Sequence, residues 1–432
     1  MAFKQFQDFL GGLVKRQRKL FFVGNEHDPI DKLLKKLMGT VGEVSGIVTA
    51  RQVLDHYSEL ESDLKLKFFK SLEQDFNAEE SLVEKAFEKY KKNPSSANLN
   101  SLSKVAEPQR HELLRRLNST PDATHNLVSM RKDLLGYLQA HPELNSVDDD
   151  FVRLFSSWFG RGFLVLQTIN WSTSAAVLDR IIRYEAVHEI KDWEDLRSRI
   201  EPSNRRCFAF FHPALADEPL IFVEVALTRE IPKSIDSILQ DQDVGRDDAS
   251  KYKTATFYSI SNCQPGLKNI SFGNFLIKQV VQELQAEFPS ISKFVTLSPI
   301  PGFHSWLNTP NNAKETALVE LAEEIKGLPL STEIIESNGE VIKKGVFNYL
   351  LRAKKGKYPL DPVARFHLGN GASIHQLNEG ADLSEKGISQ SRGAMVNYLY
   401  DLNHIEENHE SYATEGGIEY SDKLKPLLVK VQ

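Results

Sequence analysis

Lys293-Phe294-Val295-Thr296-Leu297-Ser298-Pro299-Ile300-Pro301-Gly302-Phe303 is a short apolar strand that runs into a stiff turn. Pro299 and Pro301 fix φ and remove two backbone donors. Pro299 also biases Ser298 toward an extended conformation, and Gly302 permits a sharp change of direction. The stretch predicts a hydroxyl held on rigid backbone just past a strand end, where open sheets commonly bind their ligands. Taken alone, such a serine reads as a turn cap; its neighbours give it another weight.

Immediately upstream, Phe272 to Phe288 carries Phe272, Phe275, Leu276, Val280, Leu284 and Phe288 on one helical face, and Pro289 ends it. Before the loop Ser261–Ser271 lies a strand, Thr254 to Ile260. Strand, helix, strand is a parallel crossover, expected to be right-handed. Two more strands precede it, Cys207–Phe211 and Leu220–Leu227. The polar, acidic segment Lys233–Tyr252 reads as a solvated excursion.

Downstream, a helix is expected from Asn312 to Lys326 and another near Tyr349–Ala353, followed by a basic loop, Lys354–Lys357. Asp361 is a good N-cap and Pro362 suits the first helical position. Gly369 and Asn370-Gly371 stop that helix after two turns. His367 falls in its last turn, where the plain reading is a cation stabilised by the helix dipole. Ala372, Ile374 and Leu377 alternate as a strand, and Arg392–Leu402 reads as a final helix.

The N-terminal part, to about Phe155, has helical periodicity throughout, as in Leu64, Phe68, Phe69, Leu72 and Phe76 or Leu82, Val83, Ala86, Phe87 and Tyr90. Breaks at Asn93-Pro94, Glu107-Pro108 and Ser119-Thr120-Pro121-Asp122 divide it into a bundle of antiparallel helices. The acidic run Asp148–Asp150 marks a boundary, and Phe151–Val165 a helix between the halves. The expected domains are residues 1–155 and 156–432.

Composition sets limits. The chain has 432 residues, 41% hydrophobic and 26% charged, with a net charge of −6 that argues against a general nucleic-acid binder. No apolar run reaches the length of a membrane span. Two cysteines, Cys207 and Cys263, are too few for a disulfide framework or a cysteine-based zinc site and fit a reducing compartment. His304, His367 and His375 are scattered over different elements, so no metal is expected. Met1–Lys19 is basic without a secretory core and reads as a first helix of the mature protein rather than a transit peptide. The expected location is therefore cytoplasmic.

Three segments together resemble the malonyl-CoA decarboxylase family: Leu297–Phe303, Phe366-His367-Leu368-Gly369-Asn370-Gly371-Ala372 and Met395-Val396-Asn397-Tyr398-Leu399-Tyr400. Tyr184-Glu185-Ala186-Val187-His188 and Phe257-Tyr258-Ser259-Ile260-Ser261 look like family sequence too. The resemblance implies an α+β chain, with an all-helical N-terminal domain followed by a catalytic domain of the N-acetyltransferase-like (GNAT) mixed-sheet fold. It implies a catalytic pair at Ser298 and His367, pocket positions at Ser259, Asn397 and Tyr400, and a coenzyme A pyrophosphate loop at Lys268-Asn269-Ile270-Ser271-Phe272-Gly273-Asn274. Of the usual glycines in that loop Gly273 remains; the central one is Ser271, where some relatives carry glutamate. It also implies homodimers or homotetramers.

The implied chemistry is self-sufficient. Loss of CO2 from a malonyl thioester leaves an enolate for which the thioester carbonyl is the electron sink, so no cofactor is expected. The protein must align the breaking bond, stabilise an oxyanion and deliver a proton to C2. The coenzyme supplies remote binding energy through backbone N–H groups at a helix start. Two other classes fit the fold: an acyl-CoA-dependent acyltransferase, which needs an acceptor, and a non-enzymatic acyl-CoA sensor or scaffold, which shows no turnover.

Overall fold

A computed structural model describes residues 28–215, 217–240, 249–270, 275–309 and 316–430. The chain divides into two compact units. The first takes the residues up to Leu164 together with His212–Ala216 and Gln264–Ser271; the second takes the rest.

The first unit is helical: α1 (Ile30–Gly39), α2 (Glu43–Ser58), α3 (Ser62–Gln74), α4 (Glu80–Lys92), α5 (Ser96–Ala106), α6 (Gln109–Leu117), α7 (Ala123–Tyr137) and α8 (Asn145–Trp158). Its core is built from Leu33, Leu34, Leu54, Phe68, Phe69, Leu113, Leu114, Leu127, Leu134, Phe151 and Phe155, all buried. Buried residues recur at three- and four-residue spacing within the helices, as in Leu34 and Leu37, Ala50, Val53 and Tyr57, Phe69 and Leu72, and Phe151 and Phe155. Several expectations fail here. Leu64 is exposed, and α4, for all its apolar stripe, buries no residue. The acidic run is no boundary. Asp148 and Asp150 lie in the first turns of α8 and pair with Arg131 and Arg110. Of the helix expected over Phe151–Val165, Phe151–Trp158 is the end of α8, which belongs to this unit, and Val165 opens a strand.

Among the described residues, the second unit's main sheet has seven strands in the order β1-β2-β3-β4-β5-β9-β8. They are β1 (Val165–Ile169), β2 (Arg205–Phe211), β3 (Pro219–Thr228), β4 (Thr254–Asn262), β5 (Lys293–Thr296), β8 (Ser373–Asn378) and β9 (Met395–Leu399). A two-residue hairpin, β6 (Lys354–Lys355) and β7 (Tyr358–Pro359), replaces the expected basic loop. β2 to β4 are antiparallel neighbours, while β4 and β5 run parallel across α12 (Phe275–Glu287). α9 (Ala175–Tyr184) and α10 (Trp193–Ile200) pack on one face through Val177, Leu178, Ile181, Leu196 and Ile200, against Cys207, Ala209 and Phe222.

Two departures from a regular sheet set where Ser259 and Ser298 lie. Glu224 pairs with Ser259 but Val225 pairs with Phe257, so Tyr258 is an extra residue in β4, a bulge. The parallel pairing of β4 with β5 ends at Phe257 and Thr296, with Leu297 N–H still donating to Phe257 O. Beyond that point Ser298 bridges instead to Val396 of β9. The two strands therefore part company at the bulge.

Other expectations are corrected by this topology. Arg392–Leu402 is not a helix. Arg392 and Gly393 take positive φ of 53° and 74°, closing a short helix, and Met395–Leu399 is strand β9. The Lys233–Tyr252 excursion contains α11 (Ile235–Leu239), which buries Ile235 and Ile238; residues 241–248 lie outside the described residues. The C-terminal third carries α13 (Phe303–Leu307), α14 (Thr316–Gly327), α15 (Thr332–Ser337), α16 (Gly339–Arg352), α17 (Pro362–Gly369), α18 (Glu385–Ser391) and α19 (Ile405–Glu415). α16 is thus far longer than the helix expected near Tyr349. The basic segment Met1–Lys19 also lies outside the described residues.

Candidate active site

Ser298 is held by both of its backbone groups. Its N–H donates to Val396 O at 2.9 Å, and Val396 N–H donates to Ser298 O at 3.0 Å. Pro299 and Pro301 then carry the chain to Gly302, whose N–H donates to Asp361 Oδ2 at 3.2 Å. A Cβ at Gly302 would lie 2.2 Å from the Tyr349 hydroxyl, so only glycine fits.

Asp361 also starts the helix that carries the second residue. Its Oδ1 accepts from Val363 N–H at 3.0 Å and Ala364 N–H at 2.9 Å, capping α17. One buried carboxylate thereby fastens the turn after Ser298 and the helix of His367. His367 lies in the last turn of α17, 3% exposed, with its ring stacked on Tyr398 at 4.7 Å between centroids.

The structure brings Ser298 and His367 together: Ser298 Oγ is 3.0 Å from His367 Nε2. On the other side of the ring, the Tyr400 hydroxyl is 2.7 Å from Nδ1. Ser298 Oγ donates to Thr296 Oγ1 at 2.8 Å, and Thr296 Oγ1 also accepts from Tyr398 N–H at 3.1 Å. Burial pushes the His367 imidazole down to about 3, so it is neutral at physiological pH. The expected helix-end cation is therefore not what the fold holds.

Register explains the company each residue keeps. Phe257 pairs with Thr296, and Ser298 with Val396, so Thr296, Ser298, Tyr398 and Tyr400 share one face of the sheet. The bulge turns Ser259 to the other face, in a row with Glu224 and Cys207. There Ser259 Oγ donates to Glu185 Oε2 at 2.7 Å, while Glu185 Oε1 accepts from the N–H groups of Val187 and His188. Asn397 points to that second face as well. Its amide donates to Thr296 O at 2.8 Å and Pro232 O at 3.2 Å, and its oxygen accepts from Asn378. It takes a carbonyl of β5 at the point where the parallel pairing stops. Of the three expected pocket positions, Tyr400 is the one that touches the pair.

The second face is charged inside. Arg199 donates to the carbonyls of His188 and Glu189, both at 2.8 Å, and lies 3.4 Å from Glu224 Oε2. Burial and the nearby Glu185 raise the Glu224 carboxyl to about 8, against the pull of Arg199.

Of the expected coenzyme loop, Lys268, Asn269 and Ile270 are described, and Ser271, Phe272, Gly273 and Asn274 lie outside the described residues. Within the helical unit, Arg131, fully buried, donates to Gly266 O and Lys268 O, each at 2.8 Å, while pairing with Asp148. Asn269 adopts a left-handed φ of 66°. Among the described residues, no group of three His, Cys, Asp or Glu side chains is arranged to hold a metal ion.

Sequence reading missed Thr296, Tyr398 and the second oxygen of Asp361. For Thr296 the signal was present: it lies two residues before Ser298 on the same strand, hence on the same face.

Among the described residues, the architecture is a seven-stranded mixed sheet preceded by a helical bundle, with a buried Ser–His pair past the end of β5. Residues 162–432 match the family described as malonyl-CoA decarboxylase C-terminal domain, and residues 76–159 the malonyl-CoA decarboxylase N-terminal domain. The mitochondrial malonyl-CoA decarboxylase of Anser anser anser is 36% identical over 355 residues, 75% of this chain and 70% of that protein. Among solved structures, malonyl-CoA decarboxylase from Rhodopseudomonas palustris superposes with a TM-score of 0.86 at 45% identity, covering 92% of this chain and 98% of that one. The enzyme from Agrobacterium vitis gives 0.83 at 44% identity, over 93% and 100%. The chain belongs to the malonyl-CoA decarboxylase family.

Proposed function

We propose that the chain converts malonyl-CoA to acetyl-CoA and CO2 without a cofactor, and that Ser298 and His367 together deliver the proton to C2. As a member of its family it is a carboxy-lyase. The observation that carries the reading is the 3.0 Å contact between Ser298 Oγ and a neutral, buried His367. The carbon–carboxylate bond breaks with its electron pair passing into the thioester enolate, and C2 then takes one proton. A hydroxyl and an imidazole in contact suffice for that transfer. Coenzyme A would be received at Lys268–Asn274 through backbone N–H groups, a loop whose entry Arg131 holds.

Two further parts belong to the proposal. The helical unit mediates self-association, and the chain works in the cytoplasm; among the described residues no helix is long and apolar enough to cross a membrane.

The test is incubation of the chelator-treated protein with malonyl-CoA alone, scoring CO2 and acetyl-CoA. Stoichiometric release of both at catalytic enzyme concentration is expected, undiminished by chelation. Activity only with an added amine would replace the reading by acyl transfer. Loss of activity on chelation, restored by zinc or magnesium, would overturn the cofactor-free mechanism.

A further inference from the structure

The hydrogen bonds around His367 form a chain with a direction. Tyr400 is 1% exposed, and its hydroxyl has one hydrogen-bond partner among the described residues, His367 Nδ1 at 2.7 Å. A buried phenol left without an acceptor is costly, so the O–H points at Nδ1, and Nδ1 must present its lone pair. At the other end, Ser298 gives its hydroxyl proton to Thr296 Oγ1 at 2.8 Å. Thr296, fully buried, is held in turn by Tyr398 N–H and, through its carbonyl, by Asn397. Ser298 Oγ then faces Nε2 as an acceptor, and Nε2 must carry the proton. Both ends select the same tautomer, and burial keeps the ring neutral so that a tautomer exists to be selected.

We propose that Tyr400 and Thr296 are positioning residues that lock His367 in the Nε2–H form and aim that proton at Ser298. The inference rests on the proposed decarboxylation and orders its proton steps. As the enolate forms, the Ser298 hydroxyl turns its proton from Thr296 Oγ1 to C2, Ser298 Oγ takes the Nε2 proton, and Nδ1 takes the Tyr400 proton. Water returns one proton to the chain, so each turnover consumes one proton and releases one CO2. The opposite tautomer would leave the Tyr400 hydroxyl without an acceptor and set the Ser298 proton against Nε2, with nothing behind it to replace a proton given away.

The experiment is 15N NMR of the full-length protein labelled at histidine, with His367 identified by the signals that disappear in His367→Gln. Wild type should show Nδ1 unprotonated and Nε2 protonated. Tyr400→Phe, which removes one oxygen atom, should give a mixture of tautomers and lower kcat about tenfold or more with KM within about twofold. Thr296→Val should lower kcat in the same way, and Thr296→Ser should restore most of it. A wild-type Nδ1–H form, or a tautomer that Tyr400→Phe leaves unchanged, would overturn the lock. Full turnover in Thr296→Val would remove Thr296 from it. The tautomer is read without substrate: if malonyl-CoA is not consumed while the Nε2–H form responds as stated, the functional reading falls and the lock stands.

Discussion

Ser298 and His367 are 5% and 3% exposed, so each leans on the other rather than on solvent. Removing either should spare substrate binding, since the coenzyme contacts are expected elsewhere. Ser298→Ala and His367→Ala should each lower kcat on the order of 10² or more with little change in KM. The double variant should be little worse than the poorer single one, because groups that act as a unit are not additive. Steady-state kinetics on the three variants, with melting curves to establish folding, measures this. Near wild-type turnover in both folded single variants would remove the pair from catalysis. Gly302 shows how far one residue could be read in advance. The sequence suggested glycine for a change of direction, yet its φ is an ordinary −88°. Space beside Tyr349 demands it, and no local pattern announces a neighbour 47 positions away.

Among the elements, α17 was legible because its signals are local. Asp361 caps it, Pro362 opens it, and Gly369 to Gly371 close it, as read from sequence. β9 was not, because Ala394 to Tyr400 is almost continuously apolar, a pattern shared by buried strands and buried helices. What separates them is the positive φ at Arg392 and Gly393, which composition does not show. The faces of β4 were equally hidden, since the bulge at Tyr258 moves Ser259 across the sheet without a sequence signature. The cap itself yields a prediction. Asp361→Ala removes two N-terminal bonds of α17 and the acceptor of Gly302 N–H. It should cost about 1–3 kcal/mol of stability and, on the proposed function, lower kcat, because the elements that carry Ser298 and His367 lose a shared anchor. Urea titration and kinetics on one preparation test this; wild-type kcat in the destabilised variant would show that the anchor serves the fold alone.

Across the whole molecule, two buried groups pull stability in opposite directions with pH. His367 titrates near 3 when folded against 6.5 ordinarily, so below pH 6.5 the unfolded chain binds a proton that the native state refuses. Stability falls as pH drops, and His188, lowered by its own burial, adds to this limb. Glu224 titrates near 8 when folded against 4.5, so the native state keeps a proton that the unfolded chain releases, and stability falls as pH rises between those values. Between 4.5 and 6.5 the lowered imidazoles, His212 and His375 among them, outweigh Glu224; above 6.5 they no longer titrate and Glu224 acts unopposed. The melting temperature should peak near pH 6.5, and Glu224→Gln should flatten the limb from 6.5 to 8. An unchanged alkaline limb in that variant would place the titration elsewhere. Assembly is the second prediction at this scale. α4 leaves Leu82 and Phe87 43% and 49% exposed. If the helical unit self-associates through this face, Phe87→Glu in the full chain should lower the sedimenting mass; an unchanged mass would assign assembly to another surface.

The helical unit is not contiguous in the chain. It claims Gln264–Ser271, where the carbonyls of Gly266 and Lys268 accept from Arg131, and where a Cβ at Gly266 would lie 1.9 Å from Val128 O. A nascent chain emerging N-terminus first therefore has α7 in hand long before the segment that completes its surroundings. The arginine and its two acceptors are 135 and 137 residues apart. During synthesis Arg131 waits with half of its hydrogen bonds unmade while β1 to β4 are still being translated. Ribosome-stalled chains ending shortly before Gln264 should hold an unfinished helical unit, and so should a gene fragment cut at the first domain boundary.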